Sequence, residues 1–161
     1  MAEDYIMRLV RQIAAMLAAI VAKRRAGQMA EAQQEIEAMS LQTIGLPLKT
    51  VKRMPPDALA QHLLASGANR HPRAVMLAEL LIQDAEIVEA QGQPRQALAS
   101  YLHAFCLLFD SIDVLSSEEQ AIYRPKLAML AAKLDRLPDN PYVTEKLGAY
   151  RTRQGASPFV E

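Results

Sequence analysis

Apolar residues recur three and four positions apart along most of the chain, the spacing of one face of an α-helix. The first stripe is Ile6, Val10, Ile13, Leu17 and Ile20, and it predicts a helix over 3–26. Leu9, Met16 and Val21 widen the stripe, and the alanines at 14, 15, 18, 19 and 22 are small. Such a helix is expected to be buried by several neighbours, or by a second copy of itself, since the coiled-coil spacing holds for about two heptads. Gly27 closes it after the basic turn Lys23-Arg24-Arg25, an order that suits the helix dipole. A second helix follows over 29–42, with Ala32, Ile36 and Met39 inward and Glu31, Glu35 and Glu37 toward water. Gly45 and Pro47 break it, and 46–55 reads as a connector with room for one helical turn at 48–52.

Pro55-Pro56 opens a short third helix to Ala65, with Leu59, Leu63 and Leu64 inward. Pro72 opens the fourth, over 72–90, which Gly92 closes; Pro94 opens the fifth, over 94–114. Ser116-Ser117-Glu118-Glu119 is a capping sequence for a sixth helix. Pro125 predicts a kink or break near Tyr123, after which Leu127, Leu130, Ala131 and Leu134 resume the pattern. Asn140-Pro141 starts a seventh helix to Arg153. No segment alternates with the period of a strand. Short connections make sequential helices antiparallel neighbours. The expectation is one all-α domain of six to seven helices over 1–154, followed by a flexible tail over 155–161 in which Phe159 is able to dock.

Two of these hairpins share a pattern. Gly27 is followed by Ala32, Ile36 and Met39; Gly92 is followed by Ala97, Tyr101 and Ala104. Both read Gly-x4-Ala-x3-large-x2-small or Met. Residues 78–105, with Leu81, Ala85 and Val88 ahead of the turn, carry the pattern best. It resembles the tetratricopeptide repeat (TPR), and the N-terminal segment is similar to small bacterial TPR-like proteins, a group that brings no activity with it. The resemblance implies an α-α superhelix, in which the Gly makes the turn, the small residue lets two helices approach, and the aromatic fills the space between them. The copies lie 65 residues apart where a tandem array repeats every 34. Asp84 stands where the repeat has an apolar residue, Ile20 stands where it has a small one, and the closing Pro is missing from both copies.

Composition agrees with helices. Hydrophobic residues make up 51% of the 161, yet aromatics are only 5%, there is no Trp, and eight are Met. Ala, Leu and Met are good helix formers, and Met adapts to irregular packing. The formal net charge is zero, and the halves differ by only three charges either way, which argues against a nucleic-acid binder. The apolar run Ile13–Ala22 is too short to span a bilayer, and its charges are in the wrong order for a secretion signal. A single cysteine, Cys106, allows no intrachain disulfide, which suits a reducing cytoplasm.

Chemical motifs are sparse. There is no Gly-rich phosphate loop, no Cys-x-x-Cys and no His-Glu-x-x-His, and no cofactor, metal or catalytic set is expected. Three residues stand out as pocket candidates between the fourth and fifth predicted helices: Asp84, His103 and Cys106. A thiol beside His is the raw material of a nucleophile or a partial metal site. The plainer expectation is a buried inert thiol beside a half-buried His, with Asp84, Glu86 and Glu89 on a solvated acidic face. His62 reads as a solvated helix end and His71 as a loop residue. The pattern as a whole favours a protein that binds a peptide or a partner helix, or self-associates through its first helix. The competing expectation is a small-ligand protein or enzyme that uses the three candidates.

Overall fold

The computed structural model describes residues 2–135 and 140–155, with side chains from residue 11 to residue 154 within those ranges. The docking expected of Phe159, the tail after residue 155, and the side chains of Ile6, Leu9 and Val10 lie outside the described residues. Among the described residues there is no strand. Eight helices follow one another: α1 (Ala2–Arg25), α2 (Met29–Ile44), α3 (Leu48–Arg53), α4 (Pro56–Leu64), α5 (Arg70–Ala90), α6 (Pro94–Ser111), α7 (Ser117–Lys133) and α8 (Pro141–Gly155).

The additional helix is α3, in the segment expected to be a connector. Leu48 and Val51, one turn apart, are both driven fully into the core, and Glu37 Oε2 accepts the Leu48 N–H at 2.8 Å. Helix α5 starts at Arg70, so His71 is helical rather than a loop residue, and Pro72 sits in the first turn where it displaces no intrahelical bond. Helix α7 runs through Pro125 without a break. That Pro is on the solvent side, as is Ala121, whose carbonyl loses its helical partner where solvent has access to it. Ser116 caps α7 reciprocally with Glu119, as expected.

The two hairpin turns are built alike. Gly27 and Gly92 have φ of 79° and 80°, the left-handed conformation that a side chain disfavours. At each, the next residue's N–H reaches back five residues (Gln28 to Lys23 O, 2.9 Å; Gln93 to Val88 O, 3.1 Å), and the glycine N–H reaches back three (Arg24 O, 3.0 Å; Glu89 O, 2.9 Å). This is the Schellman end, which satisfies carbonyls that the helix leaves free. Beyond it Ala32 and Ala97, Ile36 and Tyr101, and Met39 and Ala104 are all buried.

Helix α5 packs most extensively on α6 and also lies against α1 and α2. Helix α6 is the centre of the molecule, touching α3, α4, α5, α7 and α8. With neighbours on nearly every side, α5 is buried continuously from Ala74 to Ile82 and lacks a clear polar face. The segment Pro94–Val114 is long and apolar enough to cross a bilayer by length and composition, and most of it is buried in this core. Arg24 ties the end of α1 to α5, donating to Gln83 Oε1 at 2.6 Å and lying 3.4 Å from Glu86. Lys133 of α7 meets Glu89 of α5 at 3.0 Å and lies 5.2 Å from the ring centre of Tyr101, whose hydroxyl also bonds Glu89.

Helix α1 is less enclosed within the chain than α5 or α6. Ile13 and Ile20 are buried and Leu17 is half-buried, but Ala14, Ala15, Ala18 and Ala22 face water. Among the described residues only α2 and α5 cover it extensively, so one side of the helix is open from residue 11 onward.

Candidate functional site

The open side of α1 forms one wall of a groove of about 390 Å³. Ile13, Ala14 and Leu17 of α1 line one side, Val75 and Glu79 of α5 form the base, and Ile122 and Tyr123 of α7 line the other side. The lining is mostly apolar. Val114, just before α7, and Ile122 stand on its rim and are 60% and 56% exposed, the largest exposures among the big apolar side chains described. At the base, Glu79 is 4% exposed and forms an ion pair with Lys126 from α7. That pairing offsets the cost of a carboxylate below an apolar surface, while Glu119, the other acid of the lining, accepts the Ser116 N–H in the α7 cap. Burial, reinforced by Glu79 and Glu119, pushes the Tyr123 phenol above its ordinary range, so the hydroxyl is neutral and remains a hydrogen-bonding group in the wall. An apolar trough between helices, with satisfied charges beneath it, can take up another apolar surface.

The three residues singled out in the sequence have separate surroundings. Asp84 is buried rather than solvated: it accepts from Ser100 Oγ at 2.9 Å and pairs with Lys52 Nζ of α3 at 2.9 Å. The reason is α3, which brings a cation to the apolar slot that Asp84 occupies. His103 is 2% exposed, and its Nδ1 has no hydrogen-bond partner, so it does not bond Asp84. Burial lowers its pKa, against the opposing pull of the Lys52 and Met54 carbonyls, and keeps it neutral. Cys106 lies near Lys146 and Tyr142 of α8; burial pushes its thiol up to about 12, so almost no thiolate forms near neutral pH. Asp110 is drawn to Lys146 of α8. The groups therefore divide between α3, which meets Asp84 and His103, and α8, which lies beside Cys106 and Asp110. Of the other two acids on that helix, Glu86 and Glu89 are partly covered and both meet cations. His62 is exposed, with Nε2 3.2 Å from the Ile44 carbonyl oxygen.

Lys23, Arg24, Lys52, Arg151 and Arg153 each meet a carboxylate of their own. Among the described residues no group of three His, Cys, Asp or Glu is placed to hold a metal ion. The groove was not singled out from sequence. One signal pointed to it: Ile122 is an apolar residue off the inner stripe of Leu127, Leu130 and Leu134, set among Glu118, Glu119 and Arg124.

No family model, no curated protein and no solved structure matches this chain.

Proposed function

We propose that this protein is an interaction module of TPR-like design, and that the groove between α1, α5 and α7 receives an amphipathic helix from a partner protein. The observation that carries the reading is the position of the groove: its wall on α1 and its base on α5 belong to the first helices of the Gly27 and Gly92 hairpins, and its exposed rim residues are apolar. In stacked hairpins the first helices line the inner surface, where peptides bind. The matching turns at Gly27 and Gly92 and the packing of α5 on both α1 and α2 support such stacking. The helices α3 and α4 form an insertion between the two hairpins, which accounts for the 65-residue spacing. Since the groove is lined mostly by apolar side chains, the docking face of the partner is apolar, with anchors spaced three and four residues apart.

A photo-crosslinking residue at position 122, with position 34 on exposed α2 as control, tests this in native lysate. The expected product is a crosslink from position 122 to one helical segment of another protein, absent from the control, and that segment binds as a synthetic peptide. Equal capture at both positions contradicts the reading. Crosslinks solely to a second copy of the chain replace it with self-association.

A further inference from the structure

A separate cavity of about 260 Å³ opens between α4, the first turn of α5 and the last turn of α6. Leu63, Ala74 and Leu107, all buried, give it an apolar floor, and Arg70, His71, Ser111 and Asp110 stand around it.

The hydrogen bonds there run in one direction. Arg70 Nε–H donates to His71 Nε2 at 3.2 Å, so that nitrogen carries the lone pair. The ring proton is then on Nδ1, which donates to Ser111 Oγ at 3.0 Å. Burial, and then the Arg70 charge, lower the His71 pKa, in keeping with a neutral ring. Ser111 has accepted from the ring and retains its own O–H for donation. Arg70 retains both terminal amino groups, because all the ion pairs among the described residues use other cations. The carboxylate of Asp110 is matched by Lys146. The cavity thus presents uncommitted donors, one net positive charge and an oily floor.

We propose that this cavity binds a monoanionic carboxylate with a short aliphatic tail. The carboxylate lies on the Arg70 guanidinium, in the two-pronged geometry that Arg favours, and takes the Ser111 hydroxyl proton. The tail covers Leu63, Ala74 and Leu107. A dianion would carry one charge more than the site matches. The volume admits roughly eight heavy atoms at about 30 Å³ for each water-sized unit, which sets the tail at a few carbons. This site is distinct from the α1/α5/α7 groove and does not rest on the interaction reading, although His71 lines both.

The probe is 3-methylbutanoate, followed by the ring nitrogen signals of the three histidines in the full chain. The expected result is a saturable shift of the His71 signals alone, with a dissociation constant on the order of 1 mM, a strength that a ligand of few atoms can reach. The neutral 3-methylbutanamide binds at least about tenfold more weakly, and Arg70→Gln weakens the acid to a similar degree, the loss expected for a charge-assisted pair. Arg70→Lys keeps the charge without the fork and falls between; it also serves as the test should Arg70→Gln not fold. Equal binding of acid and amide, tighter binding of 3-methylbutylamine, undiminished binding by the Arg70 variants, or no saturable shift at His71 each overturns the proposal.

Discussion

The α1–α2 and α5–α6 hairpins turn through the same hydrogen bonds and bury the same register of residues after the glycine, yet they lead different lives in the molecule. The second is enclosed: α6 touches five other helices, and α5 has almost no polar face. The first is enclosed on one side, with the alanines of α1 in water and its Ile13–Leu17 edge on a groove. Local sequence therefore sets the shape of a hairpin, while the number of neighbours decides whether it is scaffold or surface. The enclosed hairpin holds the fold, and the half-open one leaves an apolar wall uncovered.

Substitutions separate these roles, the largest effect first. Phe105 of α6 is fully buried, stacked on Phe109 with ring centres 5.8 Å apart. Phe105→Ala is expected to lower the unfolding free energy by about 4 kcal/mol, whereas Leu17→Ala on half-buried α1 costs about 1 kcal/mol. Urea unfolding of both variants checks this, and equal losses would erase the distinction between the hairpins. Asp84→Ala strands Lys52 and Ser100, and because Lys52 is 27% exposed the loss is set at about 2 kcal/mol, well below that for a fully buried pair. The Lys23–Glu35 pair joining α1 and α2 is a third exposed at each end, so Glu35→Ala is expected to cost no more than about 0.5 kcal/mol.

The turns themselves should respond alike. A Cβ at Gly27 or Gly92 meets nothing within 4 Å, so only backbone strain opposes Ala. Gly27→Ala and Gly92→Ala are each expected to cost about 1 kcal/mol, and a marked inequality in their unfolding midpoints would show that the turns are not equivalent. The smallest effect is that of pH. Burial depresses the folded-state pKa of His103, and that of His71, below the unfolded value of 6.5. Below that value the unfolded chain binds more protons than the folded one, so stability falls as pH drops through 6.5 and recovers as it rises. His103→Gln is expected to flatten this slope between pH 7 and pH 5, as followed by thermal unfolding; an unaltered slope would place the response elsewhere.

Most of the helical architecture was legible in sequence because its signals are local: Gly27, Gly92, Pro56, Pro94 and the Ser116 cap all act within a turn of where they stand. What the sequence concealed depends on distant contacts. Helix α3 is too short to show a period, and without it the burial of Asp84 against Lys52 has no visible reason. Pro125 predicts an interruption, but it falls on the exposed side of α7, where the carbonyl left without a partner is open to solvent. The groove was least legible, since it exists only once α1, α5 and α7 converge. His103 and Cys106 sit one turn apart on α6 as the spacing implied, but the burial that shifts both comes from the helices packed around α6.

The claim that the groove is the docking face is tested most directly at its rim, with Val114→Glu/Ile122→Glu. Both side chains are more than half exposed, so the double variant is expected to keep its unfolding free energy within about 0.5 kcal/mol of the parent. The decisive measurement is fluorescence anisotropy of the labelled partner helix recovered by crosslinking, titrated with each protein. The account predicts saturable binding to the parent and a loss of at least about tenfold in the double variant, where charge replaces an apolar rim. Undiminished binding to the folded double variant would contradict it.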